Sequence, residues 1–445
     1  MDTVLQVLPI AAVLAAALVA LVVWYRREYL LAKRGAGRPC QCGKGQDRCP
    51  CCEGELTMLN LPGSMGQDAD KEGAGRVPES RRRLRDLGVN TGVFATGSNN
   101  AITDVAGVSV GHTTLVEGEG PLVPGKGPVR TGVTAIIPHG GDIWNERVSA
   151  GVYVLNGNGV VTGLDWIKES GFLEGPILLT NTLSVGTVYD AAITWMLERY
   201  SQIGIEDDTY LPVVGECDDS SLNDIRGRHV KAEHVLAALN GARPGPVAEG
   251  AVGAGTGMIC YDFKGGIGTS SRVLPVEDGG YTVGVLVNCN HGDRRQLLVN
   301  GVPVGRLLPE DPATEHREGS IVIVVATDAP LTSRQLRRLA KRACVGLART
   351  GSVAQNSSGD FVLAFSTGRK LPRNPEAPVN SFPQLDDEYV NPLFEAVVEA
   401  TEEAILNALF MAKTVVGRDG NVAHALPIDR CLEILRAHGK LAPEK

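Results

Sequence analysis

Short apolar runs alternate with amphipathic ones along the chain from residue 81 onward. The short runs are rich in Val, Ile and Leu and are bounded by Gly, Pro, Asn or Thr, which is typical of buried strands. We predict strands at VTAIIPHG (133–140), VYVLNGNG (152–159), GPILLT (175–180), MICYDF (258–263), TVGVLVN (282–288), SIVIVVAT (320–327) and FVLAFST (361–367).

Three longer segments follow a helical period instead. They are Val188–Arg199, Ser333–Arg349 and Leu393–Val415, and Thr332 is a candidate N-cap for the second. We interpret their apolar faces as ordinary core packing. Strands followed by helices without a strict β-α-β rhythm predict a layered α/β sandwich.

The first residues form a separate segment. Val7–Tyr25 is an apolar run without charge, and at 1.5 Å per residue it spans about 28 Å, close to the hydrocarbon thickness of a bilayer. Five basic residues follow within residues 26–38, whereas a signal peptide carries its charge before the apolar run. We therefore predict an uncleaved single-pass anchor over residues 1–25, with the globular part in the cytoplasm. The alternatives are a signal peptide and a mis-assigned N-terminal extension.

Residues 26–80 are predicted to form a flexible linker that contains a cluster of cysteines. Five of the ten cysteines lie between Cys40 and Cys52, in CQCGKGQDRCPCC. A zinc site, palmitoylation beside the membrane and a reactive linker all remain open for them. The other five cysteines are scattered in mostly apolar surroundings, so we predict reduced core residues.

The overall charge and composition argue against a nucleic-acid partner. The formal net charge is −8, no basic stripe appears in the globular part, and aromatic residues make up 5% of the chain. Both the electrostatic footprint and the stacking surfaces that nucleic acids require are therefore lacking.

The junction between Gly319 and Ser320 is the first candidate for chemistry. The polar stretch Glu315–Gly319 runs directly into Ser320 and an unbroken apolar strand. A serine at this place can attack the preceding carbonyl if the backbone bends sharply, which glycine permits. Cleavage would leave an α-amine with a pKa of about 7.7–8.0, able to act as a general base. By itself the motif is weak, because Gly-Ser before a strand is common.

Two further segments offer partners to Ser320. The turn Asn356–Asp360 precedes another apolar strand, and Ser358 and Asp360 can reach Ser320 if the two strands are neighbours. Asn288 lies at the end of the strand 282–288, where its amide can donate to a developing oxyanion. Hydrogen-bonded turns and caps are the simpler interpretations of these residues.

Taken together, these segments resemble the DmpA-like L-aminopeptidase/D-esterase family, which includes the β-peptidyl aminopeptidases. The resemblance covers about Arg81–Ile434. Its strongest pieces are NAITDVAGVSVGHTTL (100–115), RTGVTAIIPHGG (130–141), PILLTNTLSVGTVYDA (176–191), GAGTGMICYDFKGGIGTSSR (253–272) and GSIVIVVATDAPL (319–331).

The resemblance implies a four-layer αββα sandwich similar to N-terminal-nucleophile hydrolases. It further implies self-cleavage at Gly319–Ser320 into a large part (81–319) and a small part (320–445), with Ser320 as nucleophile. Ser358 and Asp360 match the supporting serine and acidic residue, and Asn288 matches an oxyanion-hole asparagine. The implied activity is hydrolysis of N-terminal residues from short peptides, amides or esters, without a metal or organic cofactor. Processed heterodimers of the family associate further, often as tetramers.

Two segments depart from the family pattern. A family tyrosine that assists the oxyanion is missing from VVGECDDSSLND (213–224), and the apolar Val160 and Val161 stand where members often have a polar residue. Two other functions remain as alternatives. One is an acyltransferase of the ornithine acetyltransferase type, although those enzymes use threonine at the cleavage point. The other is an inactive membrane-anchored binding protein.

Overall fold

A computed structural model describes residues 81–309 and 319–441. The predicted membrane anchor, the cysteine-rich linker and the polar stretch 315–318 lie outside the described residues. Within the two described ranges, no helix combines the length and hydropathy that a bilayer crossing requires.

The secondary structure alternates in the way the apolar pattern predicts. The strands are β1 (Ser109–Glu117), β2 (Val129–Ile137), β3 (Glu146–Gly157), β4 (Phe172–Leu173), β5 (Ile177–Asn181), β6 (Val213–Cys217), β7 (Ile259–Cys260), β8 (Phe263–Lys264), β9 (Gly266–Val273), β10 (Thr282–Asn290), β11 (Ser320–Thr327), β12 (Gly359–Pro372), β13 (Val415–Val416) and β14 (Val422–Ala423). The helices are α1 (Leu164–Ser170), α2 (Val185–Leu197), α3 (Ala232–Asn240), α4 (Val304–Leu307), α5 (Ser333–Arg349), α6 (Asn391–Met411) and α7 (Ile428–Ala437).

Two sheets form the centre of the fold. The larger has the order β4-β3-β12-β11-β10-β9, and the smaller has the order β1-β2-β5-β6. Their facing surfaces share one apolar cluster, in which Val324 and Leu363 of the larger sheet meet Ile136 and Leu179 of the smaller. The inward-facing side chains of the two sheets, which alternate along each strand with outward-facing ones, thus form the core between the sheets.

Helices cover the two outer faces. α5 and α6 pack on the larger sheet, for example through Leu339 and Leu406 against Ile323. α2 and α3 pack on the smaller sheet, where Ala191 and Val235 lie in one cluster with β2 and β5 side chains. The result is the predicted four-layer αββα arrangement.

β11 is the buried centre of the larger sheet. All eight of its residues are buried. It runs antiparallel to β10 and parallel to β12, and α5 provides the crossover that two parallel neighbours need. The N-terminal end of β11 therefore meets the C-terminal end of β10 and the start of β12.

Most predicted elements are confirmed, some with changed bounds. β11 and α5 have the predicted limits, and the Thr332 hydroxyl caps α5 by accepting from the Gln335 N–H. α6 ends at Met411 instead of 415, and the chain then enters β13.

The prediction of one strand at 258–263 is wrong. Tyr261 and Asp262 have φ values of 51° and 60°, and they turn the chain between β7 and β8. An apolar run of this length cannot distinguish a straight strand from a tight hairpin.

Candidate active site

Ser320 begins β11, and only 9% of its surface is exposed. It lies directly opposite Asn290, the last residue of β10. Gly319 is not in the left-handed backbone region, so the sharp bend that the sequence suggested is not why glycine is needed. A Cβ at position 319 would lie 1.7 Å from the Asn290 carbonyl oxygen. Glycine is required because two backbone segments approach closely at this point.

The turn before β12 lies beside Ser320, as the sequence predicted for neighbouring strands. The Gly359 N–H donates to the Ser320 Oγ at 3.1 Å. The Ser358 hydroxyl donates to the Asp360 carboxylate at 2.6 Å, and both side chains are buried. Among the described residues, neither Ser358 nor Asp360 forms a hydrogen bond with the Ser320 side chain. Ser358 and Asp360 therefore form a pair of their own next to the nucleophile candidate.

The environment of Asp360 shifts its acidity. Burial raises the pKa of Asp360, while the hydrogen bond from Ser358 and the charge of His291 act in the opposite direction. The net direction is upward. Burial disfavours the ionised form of Asp360, so a nearby cation would stabilise that form by pairing with it.

Asn288 lies on β10 opposite Val322, two residues before the partner of Ser320. It is fully buried, and neither its amide nitrogen nor its amide oxygen has a hydrogen-bond partner among the described residues. Asn290, in contrast, has both side-chain atoms engaged, since it accepts from the Ile259 N–H and donates to the Asp218 carbonyl. A buried amide without partners is costly, and a ligand that accepted from it would remove that cost.

Glu216 is a site residue that the sequence did not single out. It lies on β6 in the segment that lacks the family tyrosine, and it is buried. Its carboxylate accepts from the Val160 N–H at 2.8 Å and from the Thr182 hydroxyl. Burial raises the pKa of Glu216, and no ion pair with it occurs within residues 81–309 and 319–441.

A short loop links Glu216 to the nucleophile candidate. The Asn158 amide donates to the Ser357 carbonyl at 2.6 Å, so this loop packs on the turn that carries Gly359. The next residue, Gly159, lies so close to Glu216 that a Cβ there would be 2.7 Å from the carboxylate. Ser320, Gly359, the loop 158–160 and Glu216 are thus successive neighbours. Glu216 is identified by its hydrogen bond with Val160. This contact joins distant parts of the chain, so the sequence contains no signal for it.

Potential metal ligands also occur close by in the chain. Cys260, Cys289 and His291 each place a ligand atom within 4.8 Å of the other two. Cys289 lies between Asn288 and Asn290, but its side chain packs in the core beneath α5 and α6. This group is therefore on the opposite face of β10 from Asn288.

The groups around Ser320 suit acyl transfer. A buried hydroxyl adjoins a glycine carbonyl in its own chain, and the amide on the adjacent strand has no partner among the described residues. The Asp360 carboxylate lies in the turn beside Ser320, and the Glu216 carboxylate binds the loop that packs on this turn. Such a set provides a nucleophile, an oxyanion donor and binding groups for a cation.

Comparison with known proteins identifies the family of the chain. The profile of peptidase family S58 matches residues 100–423. β-Peptidyl aminopeptidase BapA from Sphingosinicella microcystinivorans is 45% identical over 389 residues, covering 84% of this chain and 96% of the relative.

Two solved structures are similar over most of the chain. A β-aminopeptidase from Burkholderia sp. is 48% identical with a TM-score of 0.76, and the match covers 81% of this chain and 100% of that one. The L-aminopeptidase D-Ala-esterase/amidase from Ochrobactrum anthropi, described as a serine aminopeptidase with a variant of the Ntn-hydrolase fold, is 42% identical with a TM-score of 0.75. That match covers 81% of this chain and 99% of that one. From its sequence, its fold and these relatives, the chain belongs to peptidase family S58.

Proposed function

We propose that this chain is a self-cleaving aminopeptidase that removes N-terminal residues from short peptides, amides or esters, with Ser320 as its nucleophile. One observation carries the proposal. Ser320 starts the central buried strand directly after a glycine carbonyl, and its Oγ is held by the Gly359 N–H at 3.1 Å. Membership in a peptidase family supports hydrolysis over the acyltransferase alternative.

Processing begins with the intact Gly319–Ser320 bond. The Ser320 hydroxyl attacks the Gly319 carbonyl carbon, and the C–N bond breaks as its nitrogen takes a proton. The resulting ester between Gly319 and Ser320 Oγ is then hydrolysed by water. The products are a carboxylate on Gly319 and a free α-amine beside the free hydroxyl of Ser320.

Turnover uses the new amine as the general base. It accepts the proton of the Ser320 hydroxyl as the oxygen attacks the substrate carbonyl, because its pKa of about 7.7–8.0 lies near neutral pH. The Asn288 amide donates to the oxyanion, which gives this buried amide a partner that the described part of the chain does not provide. The ammonium formed on Ser320 is stabilised by the Ser358–Asp360 pair on the adjacent strand. The tetrahedral intermediate then collapses: the bond to the leaving amine or alcohol breaks, and that group departs with the proton held by the Ser320 ammonium. Water hydrolyses the remaining ester to Ser320 Oγ and releases the amino acid.

Glu216 recognises the free amino group of the substrate. An aminopeptidase must select a terminal ammonium, and Glu216 is a buried carboxylate without an ion pair among the described residues. A bound ammonium would stabilise the charged form that burial disfavours. Glu216 lies in the segment that lacks the family tyrosine, but it acts on the substrate amine and not on the oxyanion.

The test of processing is mass spectrometry of the purified protein with N-terminal sequencing of the smaller fragment. We expect a fragment that begins at Ser320 and a single uncleaved chain for Ser320→Ala. Ser201→Ala, which changes an exposed serine, serves as the matched control and should process normally. Cleavage of the Ser320→Ala chain between residues 319 and 320 would overturn the proposal.

Assays with α- and β-aminoacyl p-nitroanilides then define the substrate class, and an assay with N-acetylornithine and glutamate tests acyl transfer.

We further propose that residues 1–25 anchor the enzyme in a membrane with the catalytic part in the cytoplasm. Extraction of membranes at alkaline pH should leave the full chain in the pellet and release a chain that starts at residue 39. Release of both chains would refute the anchor.

A further inference from the structure

Three soft ligand groups meet on the side of β10 that faces α5 and α6. Cys260 lies on β7, Cys289 is the penultimate residue of β10, and His291 follows that strand. Each contributes a ligand atom within 4.8 Å of the others, and the Cys260 Sγ lies 3.9 Å from the His291 Nδ1. Cys260 and Cys289 are fully buried, and His291 is 2% exposed.

The backbone holds these groups in place before any ligand binds. The Tyr261 N–H donates to the His291 carbonyl at 2.7 Å, which ties the turn after Cys260 to the end of β10. The Tyr261 ring also packs edge-on against the imidazole, with 5.0 Å between the ring centres. Because two separate segments, β7 and the end of β10, are fixed in this way, the convergence is not a property of one flexible loop.

The three side chains interact mainly with one another, since the Cys260 Sγ is hydrogen-bonded to Cys289 and to the His291 Nδ1. Neither cysteine forms a disulfide, and the His291 Nε2 is buried without a hydrogen-bond partner among the described residues. Buried imidazoles usually have both nitrogens engaged, and in metal sites the second nitrogen donates to a group outside the ligand set. The Nδ1 faces the Cys260 Sγ and is the candidate ligand atom, whereas Nε2 is the nitrogen that would donate to a group outside the ligand set.

The donor set selects a particular class of ion. Two thiolates and one imidazole suit Zn²⁺ and related soft cations, which bind sulfur at about 2.3 Å and nitrogen at about 2.0–2.1 Å. Ligand atoms around such an ion are separated by about 3.3–3.8 Å in a tetrahedral site. The observed separations of up to 4.8 Å need only small side-chain movements to reach these values.

We infer that Cys260, Cys289 and His291 bind one soft divalent cation of the Zn²⁺ class, with ligands that include neither Ser320 nor Asn288, although the charge of His291 acts on Asp360. Binding replaces two thiol protons with one M²⁺ ion, so two protons are released and the ion with its two thiolates is neutral. The fourth position is left for a ligand outside this set. The ion fixes the end of β10, the strand that carries Asn288 on its other face.

Cd²⁺ titration of the full-length protein tests this site. Because Cys40–Cys52 could also bind the ion, their five cysteines are first changed to serine. Cd²⁺ is added to the folded protein and, separately, supplied during expression, since the site is buried. We expect one equivalent bound, a cadmium–thiolate absorption band in the ultraviolet, and a proton release of two per ion.

Variants separate this site from unspecific thiol binding. Cys289→Ser and His291→Gln should each weaken Cd²⁺ binding at least tenfold, and Cys289→Ser should reduce the band. Cys431→Ser is the matched control, because Cys431 is a fully buried free cysteine that does not belong to the cluster, and it should leave binding unchanged.

Two results would overturn the inference. One is the lack of a cadmium–thiolate band in the five-serine protein after both routes of loading, which does not depend on the folding of any cluster variant. The other is a band that Cys431→Ser removes as completely as Cys289→Ser. The inference does not depend on processing, so Ser320→Ala should bind Cd²⁺ as the parent does.

Discussion

Replacing Gly319 by alanine should slow self-cleavage without removing the nucleophile. The added Cβ would lie 1.7 Å from the Asn290 carbonyl oxygen, and contacts below 3.0 Å essentially do not occur. The end of β10 and the residue before β11 must therefore separate by about 1.3 Å. Both segments are backbone, so no flexible side chain can absorb the change.

The expected effect follows from the position of the displaced atoms. The shift moves the carbonyl that Ser320 attacks relative to the strand that carries Asn288. A misplacement of about 1 Å in a reacting group can reduce a rate by about 100-fold. We therefore expect Gly319→Ala to process at least about 100-fold more slowly than the parent, with the intact chain accumulating.

The assay is a time course of processing after cell-free translation, because the parent could be fully cleaved before purification. Samples are quenched in denaturant and separated on a denaturing gel. Gly186→Ala is the matched control, since a Cβ at this exposed helical position meets nothing within 4 Å and should leave the rate unchanged. Circular dichroism verifies that Gly319→Ala is folded. Processing of a folded Gly319→Ala chain at the parental rate would refute the steric argument and, with it, the proposed role of this junction.

Three further predictions concern single side chains in the processed enzyme. Asn288→Ala should lower kcat by about 100- to 1000-fold with little change in KM, because an oxyanion donor acts mainly in the transition state. Glu216→Gln should raise KM for substrates with a free amino group, since the ammonium loses its charged partner. Asp219→Asn should stabilise the protein at pH 7.5 but not at pH 4, because burial raises the pKa of Asp219 from 3.8 to about 7. Between about pH 4 and pH 7 the folded state holds the Asp219 proton and the unfolded state loses it. The free energy of unfolding therefore decreases over this range, by up to about 4 kcal/mol for this shift.

Each of these predictions has a measurement that can contradict it. For Asn288 it is steady-state kinetics, and an increase in KM with unchanged kcat would assign the residue to ground-state binding. For Glu216 it is a comparison of free and N-acetylated substrates, and equal effects on both would exclude ammonium recognition. For Asp219 it is denaturant unfolding at the two pH values, where an equal difference from the parent at both would contradict the raised pKa.

The sequence alone determined several features because each depends on a local pattern. β11 and α5 have the predicted bounds, since an unbroken apolar run and a capped 3.6-residue period are both complete within their own segments. The family resemblance rests on long stretches of consecutive residues, and the match to the family model confirms this resemblance. β9 was not predicted, because GIGTSSRV contains mostly small and polar residues although seven of its eight residues are buried.

Other features were decided only by the tertiary structure, because they depend on contacts between distant parts of the chain. Pairing of β12 with β11 brings the Gly359 N–H to Ser320, and the local pattern of either strand contains no information about that partner. Glu216 reaches the site only through the loop that packs on the turn before β12. The sequence explained Gly319 by a backbone bend, whereas the structure explains it by the carbonyl of Asn290 on another strand. Local periodicity determines which face of an element is buried, but only packing determines what that face meets.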